Sequence, residues 1–180
     1  MIEHIKVELG RPSDINSWIR LVRKVGWNFP GLETEQSIEE HKIIVLKFMN
    51  DKRALCVKNE EDIVGVLLYS RKHNMICCLA VDPAYRKKGI ASMLLREALN
   101  KLDRDKDITV STFRENDVKG IAPRKLYKKF GFEEDELIEE FGYPNQRFVL
   151  HADKSVDNVI IGTTVTVTVD RPLGSYHPEY

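Results

Sequence analysis

The sequence predicts a mixed α/β domain in which helices cover the faces of a central sheet. Three observations carry this expectation: helical spacing occurs twice near the N-terminus, three strand-like runs follow in direct succession, and beyond Asp82-Pro83 helix and strand alternate. The chain has 180 residues, 42% hydrophobic and 31% charged, which suits one domain with a real core and is too apolar for a disordered chain.

Each element has a local reason. Ile5, Val7 and Leu9 alternate along an expected strand His4–Leu9, which Arg11-Pro12-Ser13 ends while offering Ser13 as an N-cap. Ile15, Trp18, Ile19, Val22 and Val25 share one helix face, and Gly26 stops that helix. The loop Trp27-Asn28-Phe29-Pro30-Gly31 leads to a second helix expected from about Ser37, where Ser37 and Glu40 fit a capping box and Ile38, Val45, Leu46 and Met49 line the inner face. Strands are expected at Arg53–Lys58, Ile63–His73 and Met75–Val81, an antiparallel meander turning at 59–62 and at His73-Asn74. The continuous apolar character of the last two predicts burial on both faces.

Ala91, Leu94, Leu95, Ala98 and Leu102 mark a third helix opened by Gly89. Ile108–Phe113 is a further strand. Ala122–Phe130 is a short helix with Pro123 in its first turn, where the missing N–H is harmless, and Gly131 at its end. The acidic run Glu133–Glu140 reads as a solvated loop, or as a surface attracting a cationic amine or basic peptide, and Arg147–Ala152 as a last strand. One domain is therefore expected over residues 1–153. Residues 154–180 form an extension, with a strictly alternating strand Thr163–Val169 and a turn at Asp170–Ser175.

Composition narrows the function. Lys+Arg 28 balance Asp+Glu 28, which argues against a nucleic-acid partner held by bulk charge. That neutrality hides a basic segment: Arg86–Lys129 holds 13 Lys/Arg against 6 Asp/Glu. No membrane partner is expected, since the longest apolar runs, Ile63–Tyr69 and Met75–Val81, have seven residues each. The charged N-terminal stretch is unlike a signal peptide, so a cytoplasmic location is expected. Cys56, Cys77 and Cys78 are badly spaced for a disulfide framework, and five scattered histidines give no metal-ligand spacing.

The most informative segment runs from Leu79 to Ser92. A strand enters a turn, and the turn opens a helix through Gly89, Ile90, Ala91 and Ser92, with Arg86, Lys87 and Lys88 at its mouth. Free N–H groups and the positive end of the helix dipole converge there on any bound anion. The patterns GxGxxG and GxxxxGK followed by Ser or Thr are absent, which disfavours nicotinamide enzymes and P-loop NTPases.

These residues resemble the GNAT superfamily of N-acetyltransferases. Val81-Asp82-Pro83 followed by Arg86-Lys87-Lys88-Gly89-Ile90-Ala91 is similar to its Gln/Arg-x-x-Gly-x-Gly/Ala signature, and Leu126-Tyr127-Lys128-Lys129-Phe130-Gly131-Phe132 to its LYxxxGF element. Asn116, following the strand Ile108–Phe113, matches a third feature. The resemblance covers roughly residues 1–152. It implies an α+β fold with a mostly antiparallel central sheet flanked by helices, and a cofactor cleft where Met75–Val81 splays from Ile108–Phe113. It further implies that the backbone of Leu79, Ala80 and Val81 holds the pantetheine arm of acetyl-CoA, that the N–H groups of Lys87 through Ser92 hold its pyrophosphate beside Arg86, and that Asn116 contacts the pantetheine or orders the site. Lys125 and Lys128 join Lys87 and Lys88 as candidates for the adenosine phosphates.

The chemistry so implied is direct attack of an amine, from a small molecule or peptide, on the thioester. Tyr127 would protonate the departing thiolate. A backbone N–H near Val81 would polarise the carbonyl. No carboxylate lies on Met75–Val81 or Ile108–Phe113, so the base is unassigned, with a water chain as one route. Cys77-Cys78 invites a cysteine acyl-enzyme, but without a paired histidine the buried apolar role is favoured. Trp27 and Phe29 either form part of the acceptor pocket or seal the helix pair. The alternatives to a transferase are a CoA-binding sensor without turnover and the acetyltransferase part of a bifunctional chain. A second, shorter resemblance links Val165–Pro178 to the opening strand and turn of inorganic-pyrophosphatase-like proteins. It implies either the start of a second domain or an edge strand added in a homodimer.

Overall fold

The computed structural model describes residues 5–152. Strand β1 (Val7–Leu9) leads to helices α1 (Ile15–Val25) and α2 (Glu35–Asn50). The meander follows as β2 (Ala54–Asn59), β3 (Asp62–Ser70) and β4 (Met75–Val81). Then come α3 (Ile90–Lys101), β5 (Ile108–Phe113), α4 (Ile121–Lys129), β6 (Glu133–Glu140) and β7 (Tyr143–Leu150). The strands form one sheet in the order β1-β2-β3-β4-β5-β7-β6, antiparallel throughout except for the β4–β5 pair. The expected mixed, mostly antiparallel sheet with flanking helices is what forms.

Period-two alternation divides the strands between two cores. On one face, Ala54 and Cys56 of β2 and Val66 and Leu68 of β3 pack with Trp18, Val22 and Phe48 from α1 and α2. On the other, Leu55, Val57 and Leu67 pack with Ile90, Leu94 and Leu95 of α3, with Tyr127 of α4 and with Phe148. Fully burying each large side chain contributes about 1.5–3 kcal/mol, so β3, buried from Ile63 to Ser70, is the spine that both helix layers need.

Several boundaries differ from the sequence expectation. The α2 cap is Thr34, whose hydroxyl accepts from the Ser37 N–H at 3.0 Å while Ser37 Oγ accepts from the Thr34 N–H at 3.1 Å. Ser37 thus serves the capping box from inside the first turn, three residues beyond the cap. β3 ends at Ser70, because Asn74 adopts a left-handed conformation (φ 49°) and closes a longer turn. The run Glu133–Glu140 is an edge strand rather than a loop, paired with β7 from Glu133↔Val149 to Glu140↔Tyr143. Its charges are tied down: Glu134 pairs with Arg124 and with Lys128 (2.6 Å), Asp135 with Arg147 (3.1 Å), and Glu136 also with Arg147. The expected residue His4, the 153/154 boundary, the strand and turn at 163–175 and the second resemblance at 165–178 lie outside the described residues. Among the described residues no helix is long and apolar enough to cross a membrane.

Asn74 also fixes the junction of β4 and β5. Its side chain donates to the carbonyls of Asp103 (2.9 Å) and Asp107 (3.0 Å) and accepts from the Asp103 N–H (2.9 Å). Its own carbonyl accepts from the Thr109 N–H at 3.3 Å. The α3–β5 loop is thereby fastened to the start of β4.

Candidate functional site

Beyond that junction the two strands part. Only Met75↔Thr109 and Ile76↔Val110 pair in parallel, and Cys77 through Val81 have no partner on β5. The register against β3 shifts at the same place, from Tyr69↔Ile76 to Leu68↔Cys78, which leaves Cys77 as a bulged residue. A bulge twists a strand and re-aims its peptide groups, so it and the loss of pairing have one outcome: a wedge-shaped cleft walled by the β4 backbone. Leu79, Ala80 and Val81 line its unpaired stretch. Here the expectation of a strand buried on both faces is corrected, since Cys77, Cys78, Leu79 and Val81 are only half-buried, for want of a neighbouring strand.

At the end of β4 the chain turns through Asp82-Pro83. Asp82 is buried, accepts from the Ala84 N–H at 2.9 Å and pairs with Lys24 of α1 at 2.6 Å. Burial would raise its carboxyl, but Lys24 and the Ala84 N–H outweigh it and hold the group below the usual carboxylate range. The turn is therefore anchored before it reaches its basic residues. Arg86, Lys87 and Lys88 are exposed, and Lys87 and Gly89 both take positive φ (61° and 79°). Gly89 opens α3 with no side-chain cap on its first N–H groups, and a Cβ built there would meet no atom within 4 Å. Uncapped donors facing open space beside three cations fit a phosphate group. Lys88 also lies over the Tyr85 ring at 4.9 Å, and Lys128 is engaged by Glu134.

Tyr127 of α4 is buried at 4% exposure in the core beneath α3, its ring 5.6 Å from Phe132 and 6.2 Å from Phe148. Burial, with the Cys78 thiol close enough to add to the effect, pushes its phenol well above the usual tyrosine range. The hydroxyl is thus a protonated donor beside the splayed strand. Cys77 and Cys78 are each pushed up to about 12, mainly by burial, so both remain thiols at neutral pH. That removes the thiolate a cysteine acyl-enzyme requires.

At the open end three loops meet. Lys119 donates to the Trp27 carbonyl at 3.5 Å and lies over the rings of Phe113 (5.7 Å) and Tyr143 (5.4 Å). Tyr143 donates to Asp117 at 2.5 Å, and Phe141 rests against Gly31. Trp27 is 65% exposed and does not seal the helix pair, whereas Phe29 packs against the α1–α2 core. Asn116 sits in the exposed turn after β5.

Sequence reasoning missed one carboxylate here. Glu140, the last residue of β6, is half-buried, with hydrogen-bonding contacts to Ser111 of β5. It is close enough to Cys77 of β4 to act on that thiol. Burial raises its carboxyl above the ordinary range, against the opposing effect of those hydrogen bonds. The available signal was Phe141-Gly142, a turn pair between two segments that reads as a hairpin once 133–140 is allowed to be a strand.

A seven-stranded sheet with one splayed parallel pair over a basic, uncapped helix start defines the GNAT class of fold. Residues 50–134 match the family described as the acetyltransferase (GNAT) domain. An acetyltransferase of the GNAT family from Bacillus cereus superposes with a TM-score of 0.64 at 21% identity, over 82% of this chain and 97% of that one. An N-acetyltransferase from Staphylococcus aureus gives 0.64 at 19% identity, over 83% and 99%. The PaiA N-acetyltransferase from Thermoplasma acidophilum, solved in complex with coenzyme A, gives 0.60 at 18% identity, over 80% and 98%. No curated protein matches the sequence.

Proposed function

We propose that this protein is an acetyl-CoA-dependent N-acetyltransferase of the GNAT superfamily, acting in the cytoplasm on an amine of a small molecule or peptide. The observation that carries the reading is the coincidence of two sites on one line, the unpaired β4 edge from Cys77 to Val81 and the uncapped start of α3 at Gly89. A long acyl carrier with a phosphorylated end spans such a line; a simple phosphate ligand would need only the second. Acetyl-CoA would supply an activated thioester carbonyl. The chain's own part is to hold its pyrophosphate on the N–H groups of Lys87 through Ser92 beside Arg86, and to grip its amide-bearing arm on the backbone of Leu79, Ala80 and Val81. Asn116 is retained in the proposal as a contact to that arm. A backbone N–H near Val81 polarises the carbonyl, and Tyr127 donates the proton that the leaving sulfur takes.

Release of free thiol from acetyl-CoA, followed over a panel of primary amines and free-N-terminal peptides, tests this reading. Thiol release that depends on the amine is expected. Tight CoA binding with no release on any acceptor would instead favour a CoA-binding sensor built on the same fold.

With both cysteines held as thiols, no covalent acyl-enzyme is expected. Intact-mass spectrometry after incubation with acetyl-CoA alone should find the protein unmodified at Cys77 and Cys78. An acetyl group on either one would restore the two-step route.

A further inference from the structure

One cation ties together the loops at the open end of the cleft. Ile108 and Val110 of β5 belong to the α3 core, so Phe113, an odd number of residues beyond them, faces the α1–α2 side of the sheet. Phe113 pairs with Asn145 of β7, which makes Tyr143 its diagonal neighbour on that face, and the two rings meet edge to face with centroids 5.6 Å apart. Lys119 is half-buried over both rings and reaches the Trp27 carbonyl in the loop after α1. The acid of its own turn is already engaged: one Asp117 oxygen accepts from the Lys119 N–H at 2.9 Å and the other from the Tyr143 hydroxyl. Among the described residues no carboxylate forms an ion pair with the Lys119 ammonium. Two ring faces and one long carbonyl contact hold the ammonium in place without neutralising it, so its charge remains for an anion.

The height of this cation along the cleft follows from register. β4 and β5 run parallel from Met75↔Thr109, and Phe113 lies as many residues beyond that pair as Leu79 does. Lys119 therefore stands about level with the backbone proposed to hold the pantetheine arm, on the side that α1 and α2 cover. The rim around it is apolar, with Trp27 65% and Phe141 58% exposed.

Resting on the transferase reading, we infer that the acceptor is a free α-amino acid with a large apolar side chain, and that Lys119 selects it by receiving its carboxylate. One ammonium matches one monoanionic group, and the contact is a charge-assisted hydrogen bond formed where water is partly excluded. With the carboxylate at Lys119, the amino group on the next carbon turns into the cleft towards the thioester, while the side chain lies along Trp27 and Phe141. A simple alkylamine has no anion to offer, and the amino end of a peptide carries an uncharged amide in place of the carboxylate. Both forfeit the contact, so the mouth sorts amines that the thioester alone would treat alike.

The test measures thiol release from acetyl-CoA at one pH with three acceptors: L-phenylalanine, phenethylamine, which differs from it only in lacking the carboxylate, and L-alanine, which lacks the ring. Wild type is expected to favour phenylalanine over phenethylamine by about 10–100-fold in kcat/KM, as one hydrogen bond to a charged group allows. Alanine should fall about tenfold below phenylalanine. Lys119→Met keeps the aliphatic stem over the rings and removes the charge. It is expected to retain CoA affinity by calorimetry and to bring the phenylalanine-to-phenethylamine ratio close to parity, chiefly through a higher KM for phenylalanine, and Lys119→Arg should recover part of the preference. Phenethylamine used as well as phenylalanine by wild type overturns the substrate assignment, and alanine used as well as phenylalanine overturns its apolar half. A Lys119→Met protein that loses rate equally on both acceptors reduces Lys119 to a brace between loops. Should that variant fail to bind CoA, Lys119→Gln takes its place, and the wild-type ratio still decides the substrate. CoA binding with no thiol release on any amine of the wider panel sinks the transferase reading, whereas release on other amines and none on phenylalanine sinks only this assignment.

Discussion

Replacing Tyr127 with Phe is expected to lower kcat about 10²-fold while leaving CoA affinity and thermal stability nearly unchanged. The ring's packing against Phe132 and Phe148 survives the change, because only the hydroxyl is removed. A phenol pushed above its usual range looks at first like a poor acid for a thiolate, since an ordinary thiol in water is the stronger acid. The surroundings correct that comparison. A thiolate released in the proposed cleft would lose water around its charge, and desolvation of an anion makes it a stronger base than in water. Desolvation thus raises donor and acceptor in the same direction. Single-turnover thiol release for wild type and Tyr127→Phe measures this directly. Equal rates would reduce Tyr127 to a core residue with an incidental hydroxyl.

Gly65→Val is expected to destabilise the fold by about 2–3 kcal/mol and to weaken CoA binding by about tenfold. Gly65 lies on β3 opposite the end of β4, paired with Val81, and a Cβ there would sit 2.6 Å from Ile90 Cγ2 and 3.1 Å from Leu94 Cδ1. Ile90 is the first residue of α3 and its Cγ2 is a short, branched methyl with nowhere to swing, so the helix start itself must move. The uncapped N–H groups then shift relative to β4, and the two halves of the proposed cofactor line fall out of register. Urea unfolding and calorimetry report the two effects separately. Ile90→Ala in the same chain should recover part of each, giving a clear departure from additivity. Unchanged CoA affinity in a destabilised Gly65→Val protein would separate the α3 start from the binding site.

The legible parts of the molecule are those written in consecutive residues. Helix faces such as Ile15, Trp18, Ile19, Val22 and Val25, and the turn from Val81 to Ala91, declare themselves locally, as does Tyr127 within its motif. What escaped depends on partners far along the chain. β6 has acids at nearly every position, so no alternation marks it; it is a strand because β7 pairs with it and Arg124, Lys128 and Arg147 neutralise it. The bulge at Cys77 is equally invisible, being a mismatch of register between two apolar runs that look alike. Glu140 needed the first lesson, since it belongs to a strand only once β7 pairs with it.

The Asn74 fastening has a bearing on how the cleft works as a container. Its side chain joins the base of β4 to the loop entering β5 by three hydrogen bonds, at a buried position with a left-handed backbone that suits Asn. The angle between the strands is therefore set at their rivet, as in a pair of tongs, and not by what lies between the jaws. A ligand entering such a gap meets walls that folding has already held apart, so little of its binding energy is diverted to prying strands open. On the proposed function the same rigidity would govern departure: jaws that neither clamp nor gape would leave exchange of spent carrier for fresh to the release of its phosphates from the turn at Gly89.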